Sequence, residues 1–263
     1  MRHRTALTHQ SESAHNAIPC GCRDVDEKRS LGPSSEPRRR SGALWWLHNC
    51  VVGRCTSGTG TRGSTCVTIR VVGVSGYTVK ALDESTWSAF AALVEANNGI
   101  FGGCWCMGFH REGGDKGATA GSNRDLKLSR VRAGTAHAAL VFDQDDCVGW
   151  CQFGEPDEVS RIKSRAAYER ELVRLPDWRI GCCYVGKGHR RAGALAAALA
   201  GALDLIADHG GGIVEGYPEP ADAVSAGFLY NGALSTYEDL GFRRDRKIGK
   251  HRWVVTRAVE TST

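Results

Sequence analysis

The sequence predicts one α/β domain behind a disordered extension, and three observations carry that expectation. From Tyr77 to Val259, short alternating apolar runs are interleaved with segments of helical periodicity. The chain of 263 residues is 41% hydrophobic and 24% charged, enough apolar material for a real core. The charge is unevenly placed: residues 1–66 hold ten Lys or Arg and five acids, while the rest of the chain holds 24 of each. A mixed sheet covered by helices is therefore expected over about residues 70–260. Residues 1–66 read as a basic, Cys-containing, disordered extension, rich in Arg, Ser, Gly and Thr.

The elements follow in order. Tyr77 to Leu82 alternates as a strand. Asp83 to Ala96 reads as a helix with Trp87, Phe90, Ala91 and Val94 on one face, ended by Asn97-Asn98-Gly99. Ser122 or Asn123 is expected to cap a short helix that stops at Gly134. His137 to Phe142 and Cys147 to Phe153 form a hairpin around Asp143-Gln144-Asp145-Asp146. Glu155 to Arg174 reads as helix, with Pro176 just beyond it. Arg179 to Val185 is a strand, Ala192 to His209 a long helix, and Ile213 to Tyr217 another strand. Leu229 to Leu240 is read as a helix stopped by Gly241, and Lys250 to Val259 closes as a strand. The predicted order is β-α-α-β-β-α-β-α-β-α-β.

Several function classes are excluded or disfavoured. The longest apolar run, Ala192 to Leu203, is too short to cross a bilayer, so no membrane span is expected. A body with no net charge is a poor nucleic-acid binder, and no nucleic-acid partner is expected. No apolar h-region opens Met1 to Pro19, so the eleven cysteines read as free thiols in a cytoplasmic protein. Zinc is the alternative for the close pairs Cys20/Cys22 and Cys104/Cys106. Their single-residue spacers and the lack of a His-x3-5-His partner argue against it, and no metal is expected.

The chemistry concentrates in Val185-Gly186-Lys187-Gly188-His189-Arg190-Arg191-Ala192-Gly193-Ala194-Leu195. A strand ends, glycines free the backbone, basic residues follow, and a helix begins. The N–H groups at a helix N-terminus lack partners and carry partial positive charge, which favours a phosphate. The spacing is neither the dinucleotide glycine motif nor a P-loop. On physics alone it is either an anion site or a basic loop without a ligand.

This segment resembles the acetyl-CoA motif of the GCN5-related N-acetyltransferase (GNAT) superfamily, R/Q-x-x-G-x-G/A, with Leu195 where the family has Gly or Ala. The resemblance implies that Arg190, Arg191, Ala192, Gly193, Ala194 and Leu195 hold the pyrophosphate of acetyl-CoA. It further implies that Cys183, Tyr184 and Val185 line the pantetheine arm. Ala233-Leu234-Ser235-Thr236-Tyr237-Glu238-Asp239-Leu240-Gly241-Phe242 is similar to the family's N-x-x-A-x-x-x-Y-x-x-x-G-F. Tyr237 then falls on the general acid that protonates the departing thiolate, and Tyr230 stands where Asn is usual, with Asn231 one residue later.

The resemblance spans Tyr77 to Val259. It implies a mixed, mostly antiparallel sheet and an N-acetyltransferase that uses acetyl-CoA as co-substrate on a small-molecule or peptide amine. A homodimer is compatible with it. No Asp or Glu lies within Ile180 to Val185, so Glu215 is the best substitute for a strand-borne base, with His110, His137 and Asp177 behind it. The bland alternatives are an ion-paired strand acid for Glu215 and a packed aromatic for Tyr237. The segment from Glu155 to Arg174 and the loop from Cys104 to His110 are expected to shape the acceptor pocket. A non-catalytic acyl-CoA sensor or assembly module is the second functional reading.

Overall fold

The computed structural model of the protein describes residues 70–71, 76–113, 117–225, 227 and 229–263. The expectation for residues 1–66 lies outside them. Among the described residues the strands are β1 (Arg70–Val71), β2 (Thr78–Ala81), β3 (His137–Asp143), β4 (Asp146–Gly154), β5 (Trp178–Val185), β6 (Gly212–Gly216), β7 (Arg243–Ile248) and β8 (Arg252–Val259). The helices are α1 (Trp87–Glu95), α2 (Ala120–Arg132), α3 (Arg165–Arg170), α4 (Ala194–Asp208) and α5 (Leu234–Asp239). The strands form one sheet in the order β1-β2-β3-β4-β5-β6-β8-β7. Every neighbouring pair is antiparallel except β5 and β6, which are joined through α4. The expected mixed, mostly antiparallel sheet flanked by helices is the one observed.

Two apolar layers clamp the sheet. On one face Ala198, Leu199, Ala202 and Ile206 of α4 pack against Val79, Ala139, Val141, Cys151 and Ile180. The helix sits very close to β2, because a Cβ on Gly201 would meet Val79 Cγ1 at 2.4 Å. On the other face Phe90 and Val94 of α1 pack with Trp105, Leu140, Trp150 and Cys182. The α1 face read from the sequence is thus the buried one. A third cluster joins Tyr168 of α3 to Tyr217, Ile248 and Val254.

Four expectations are corrected. The helix expected from Glu155 to Arg174 shrinks to the six residues of α3. Arg179 of β5 explains part of this, since its Nη1 donates to the carbonyls of Pro156 (3.2 Å) and Val159 (3.1 Å), and Arg161 N–H donates to Phe109 O. Tertiary partners satisfy backbone groups that a helix would otherwise pair. The helix expected from Leu229 begins five residues later, at Leu234. The cap of α2 is Thr119, not Ser122 or Asn123: Thr119 and Ser122 exchange hydrogen bonds in a capping box. Finally, β1 was not foreseen, and neither was β7, the edge strand beyond β8. Its sequence Arg-Arg-Asp-Arg-Lys-Ile is mostly exposed and charged, as suits a protected sheet edge.

Candidate functional site

The parallel pair β5/β6 is in register only at Trp178↔Val214 and Arg179↔Glu215. Beyond those residues the strands part, and the expected site residues other than Glu215 gather around the gap. The edge of β5 facing it is held by the chain itself. Cys183 N–H donates to Tyr230 O at 2.6 Å, and Asn231 Nδ2 donates to Gly181 O at 2.8 Å. Asn231 is buried, and its Oδ1 has no hydrogen-bond partner among the described residues. Asn231, one residue beyond the position the motif register gives for Asn, is the asparagine aimed into the gap. Bridging by residues 230–231 also delays the start of α5.

Tyr237 closes the gap from the α5 side with 0% exposure, and its hydroxyl donates to Asn231 O at 2.9 Å. Its ring is wedged between two glycines. A Cβ on Gly216 would lie 2.3 Å from Cε1, and one on Gly232 would lie 3.0 Å from Cε2. Burial, then the neighbouring thiols of Cys183 and Cys151, push the phenol well above its ordinary pKa, so it stays protonated. Cys183 Sγ in turn lies 3.7 Å from Cys151 Sγ across β4 and β5.

The basic loop stands at the end of β5. After one 3-10 turn at Lys187–His189, Arg190, Arg191, Ala192 and Gly193 are exposed, Ala194 is buried and Leu195 is half-buried. Gly193 precedes α4 at φ +87°, a left-handed conformation that suits glycine, and Arg191 adopts φ +63°. His189 anchors the loop to the sheet through Nδ1 and the Tyr77 hydroxyl at 3.2 Å. Arg190 Nε donates to Val185 O at 3.1 Å. Tyr184 is half-buried and stacked on Trp150, and it borders a recess of about 270 Å³ shared with Asn98, Phe101 and Lys187.

Glu215 is elsewhere. Gly216 faces Tyr237, so strand alternation turns Glu215 to the opposite face of β6. There it is 4% exposed, and Oε2 accepts hydrogen bonds from Tyr168 (2.9 Å) and Tyr217 (3.0 Å). Arg179 Nη2 donates to the Tyr168 hydroxyl at 3.1 Å and completes the cluster. The two residues expected to carry the chemistry are therefore not in contact. His137 pairs with Glu158 (2.6 Å), and Asp177 accepts from Ile213 N–H (2.7 Å).

On the α1/α2 side a buried polar network was missed by sequence reasoning, apart from His110. Gln152 of β4 donates through Nε2 to His110 Nε2 (2.8 Å) and accepts at Oε1 from Cys106 Sγ (3.1 Å). Lys127 of α2, 1% exposed, also reaches His110 Nε2 at 3.2 Å. With Nε2 accepting twice, the ring is neutral with its proton on Nδ1. Burial first, then the charges of Lys127 and Arg130, lower the His110 pKa to about 2. Burial raises the Cys106 thiol, but a hydrogen bond with Cys182 and the charge of Lys127 outweigh it and leave it below the usual thiol value. A polar Gln152 within an otherwise apolar strand was the readable signal. No three His, Cys, Asp or Glu side chains among the described residues stand together in a way that could hold a metal. No described helix is long and apolar enough to cross a membrane.

No family model matches the chain, and no curated protein matches it. Solved structures of acetyltransferases do. One is a ribosomal-protein-S5-alanine acetyltransferase from Vibrio fischeri, 10% identical, with 73% of this chain and 97% of that chain covered and a TM-score of 0.44. Another is a histone acetyltransferase HPA2 and related acetyltransferase from Corynebacterium glutamicum, 12% identical, with 72% and 98% covered and a TM-score of 0.42. A third is the ribosomal L7/L12 α-N-protein acetyltransferase RimL in complex with coenzyme A, 14% identical, with 74% and 100% covered and a TM-score of 0.42.

Proposed function

We propose that the protein is an acetyl-CoA-dependent N-acetyltransferase that works at the gap between β5 and β6. The observation that carries this reading is the convergence there of a basic loop opening α4, a β5 edge with hydrogen-bonding groups, and the hydroxyl of Tyr237. In this reading Arg190, Arg191, Ala192, Gly193, Ala194 and Leu195 receive the pyrophosphate, on amides at the N-terminus of α4. Cys183, Tyr184 and Val185 line the pantetheine arm.

Acetyl-CoA enters by exchange. The Cys183 N–H, bonded to Tyr230 O in this structure, transfers to the acyl carbonyl and stabilises the oxyanion as the amine attacks. Asn231 Oδ1 then gains a donor from the cofactor arm. The C–S bond breaks, and Tyr237, protonated because it is buried, gives its proton to the leaving thiolate. Of the two protons the acceptor ammonium loses, the first passes to Glu215 through the phenol of Tyr168 or Tyr217, both of which donate to its carboxylate. The second, shed from the nitrogen as the intermediate collapses, restores the Tyr237 phenol. The acceptor is a small-molecule or peptide amine.

Incubation with acetyl-CoA and a panel of polyamines, amino acids, aminoglycosides and peptides, read by thiol release, tests the reading. Transfer to at least one class of amine is expected, and its rate should fall in Glu215→Gln. Saturable acetyl-CoA binding without transfer to any amine would instead favour the acyl-CoA sensor.

A further inference from the structure

A cleft of about 660 Å³ opens on the face of β6, β8 and β7 away from α4, roofed by residues 171–176. That roof belongs to the segment expected to be helical and to shape the acceptor pocket. Its observed irregular, bent course leaves Val173 and Leu175 exposed at the lip, and Ile213 is exposed across from them. With Phe101, these are the large hydrophobics left exposed among the described residues. Apolar side chains gathered at one cleft mark a binding surface more than scattered ones do.

The floor is cationic. Arg243, Arg246 and Arg257 line it, and Arg246 is the informative one. Its guanidinium stacks over the Tyr168 ring at 5.0 Å, and its Nη1 pairs with Asp245. Its Nε and Nη2 are both buried and have no hydrogen-bond partner among the described residues. Those two nitrogens form the side-on fork of a guanidinium, the edge that takes both oxygens of a carboxylate in parallel. Leaving buried donors unpaired is costly, and a bound acceptor removes the cost.

The acids at the cleft do not supply that acceptor. Asp245 is engaged on the other nitrogen of Arg246, Glu215 is held by two phenols, and Glu171 is exposed. We infer that this cleft, which Glu215 borders, is a ligand site for a small organic acid, distinct from the pyrophosphate loop at α4. The acid's carboxylate meets the Nε/Nη2 edge of Arg246 as that side chain turns toward the cleft, since both nitrogens are closed to solvent in this structure. Its apolar body lies against Ile213, Val173 and Leu175. The inference stands whether or not the protein transfers acetyl groups.

The test is titration of the full-length protein with sodium hexanoate, followed by proton–nitrogen NMR of the arginine Nε–H groups. Hexylammonium chloride and inorganic phosphate are run as separate arms. Hexanoate should shift the Arg246 Nε–H resonance saturably, with hexylammonium and phosphate binding markedly more weakly. Arg246→Gln should weaken hexanoate roughly ten- to hundredfold, as expected for a lost charge-assisted pair. Ile213→Asp, at an exposed position, should also weaken it and serves if the Arg246 variant does not fold. Saturation that leaves the Arg246 resonance unmoved would overturn the inference. So would equal binding of hexylammonium, tighter binding of phosphate than of hexanoate, or no saturable binding of hexanoate.

Discussion

Tyr237→Phe separates the two readings of this side chain most cleanly. The ring and its wedge between Gly216 and Gly232 are kept, and only the hydroxyl is lost. In the resting protein that hydroxyl makes one hydrogen bond, 2.9 Å to Asn231 O. A neutral intramolecular bond contributes about 1 kcal/mol net. For a domain of this size, that corresponds to a fall in Tm of roughly 2–4 °C. The kinetic effect should be larger. Thiolate charge develops only as the C–S bond breaks, so loss of the proton donor acts on the transition state and spares the ground state. General acids typically contribute about 10²–10⁴-fold, and kcat should fall at least roughly tenfold with the KM for acetyl-CoA little changed. Thiol-release kinetics with a competent amine, run beside a thermal melt, give both quantities. Burial keeps the phenol protonated throughout the accessible range, so its titration should not set the alkaline limb of the pH–rate profile. A wild-type kcat with the small loss in Tm, chemistry being rate-limiting, would make Tyr237 a packed aromatic.

Three other outcomes follow from the same geometry. Gly216→Ala places a methyl 2.3 Å from a fully buried ring, so it should destabilise by about 1–3 kcal/mol and lower kcat together, checked by denaturant melts and kinetics. His110 is neutral when folded, with a pKa of about 2 against an ordinary 6.5. The unfolded chain therefore binds the extra proton below pH 6.5, and stability should fall by about 1.4 kcal/mol per pH unit as pH drops below that value. Melts of His110→Asn over the same pH range should show a shallower slope, and an unchanged slope would remove His110 as the cause. Acetyl-CoA should raise the Tm of the wild type by binding the native state, and Gly193→Asp, which sets bulk and negative charge at the start of α4, should abolish that rise.

Much of the fold was legible because its elements bury one face with a clear period. Phe90, Ala91 and Val94 marked the inner face of α1, and the β3–β4 hairpin ends within a residue or two of the expected limits. The losses share a cause, which is tertiary override of local pattern. Carbonyls at 156 and 159 bond to a buried arginine from another strand, so helical periodicity there did not become a helix. β7 carries almost no apolar alternation because it is an edge. At the site, the loop before α4 and Tyr237 were readable from motif spacing. The opposite orientation of Glu215 was readable in principle from period-two alternation with Gly216, once β6 was fixed. The Cys106–Gln152–His110–Lys127 network joins four separate segments, so the polar Gln152 in β4 signals a buried partner but no local pattern says which residues supply it.

The proposed acyl-CoA site is the gap where Tyr230 and Asn231 now bridge to β5. Amide NMR of the full-length protein during an acetyl-CoA titration addresses it directly. Saturable shifts are expected at the Cys183 amide, as Tyr230 O is exchanged for the acyl oxygen, together with shifts at the amides of Arg191 to Ala194. Saturable binding that leaves Cys183 and the 191–194 amides unmoved, or no binding at all, would contradict it.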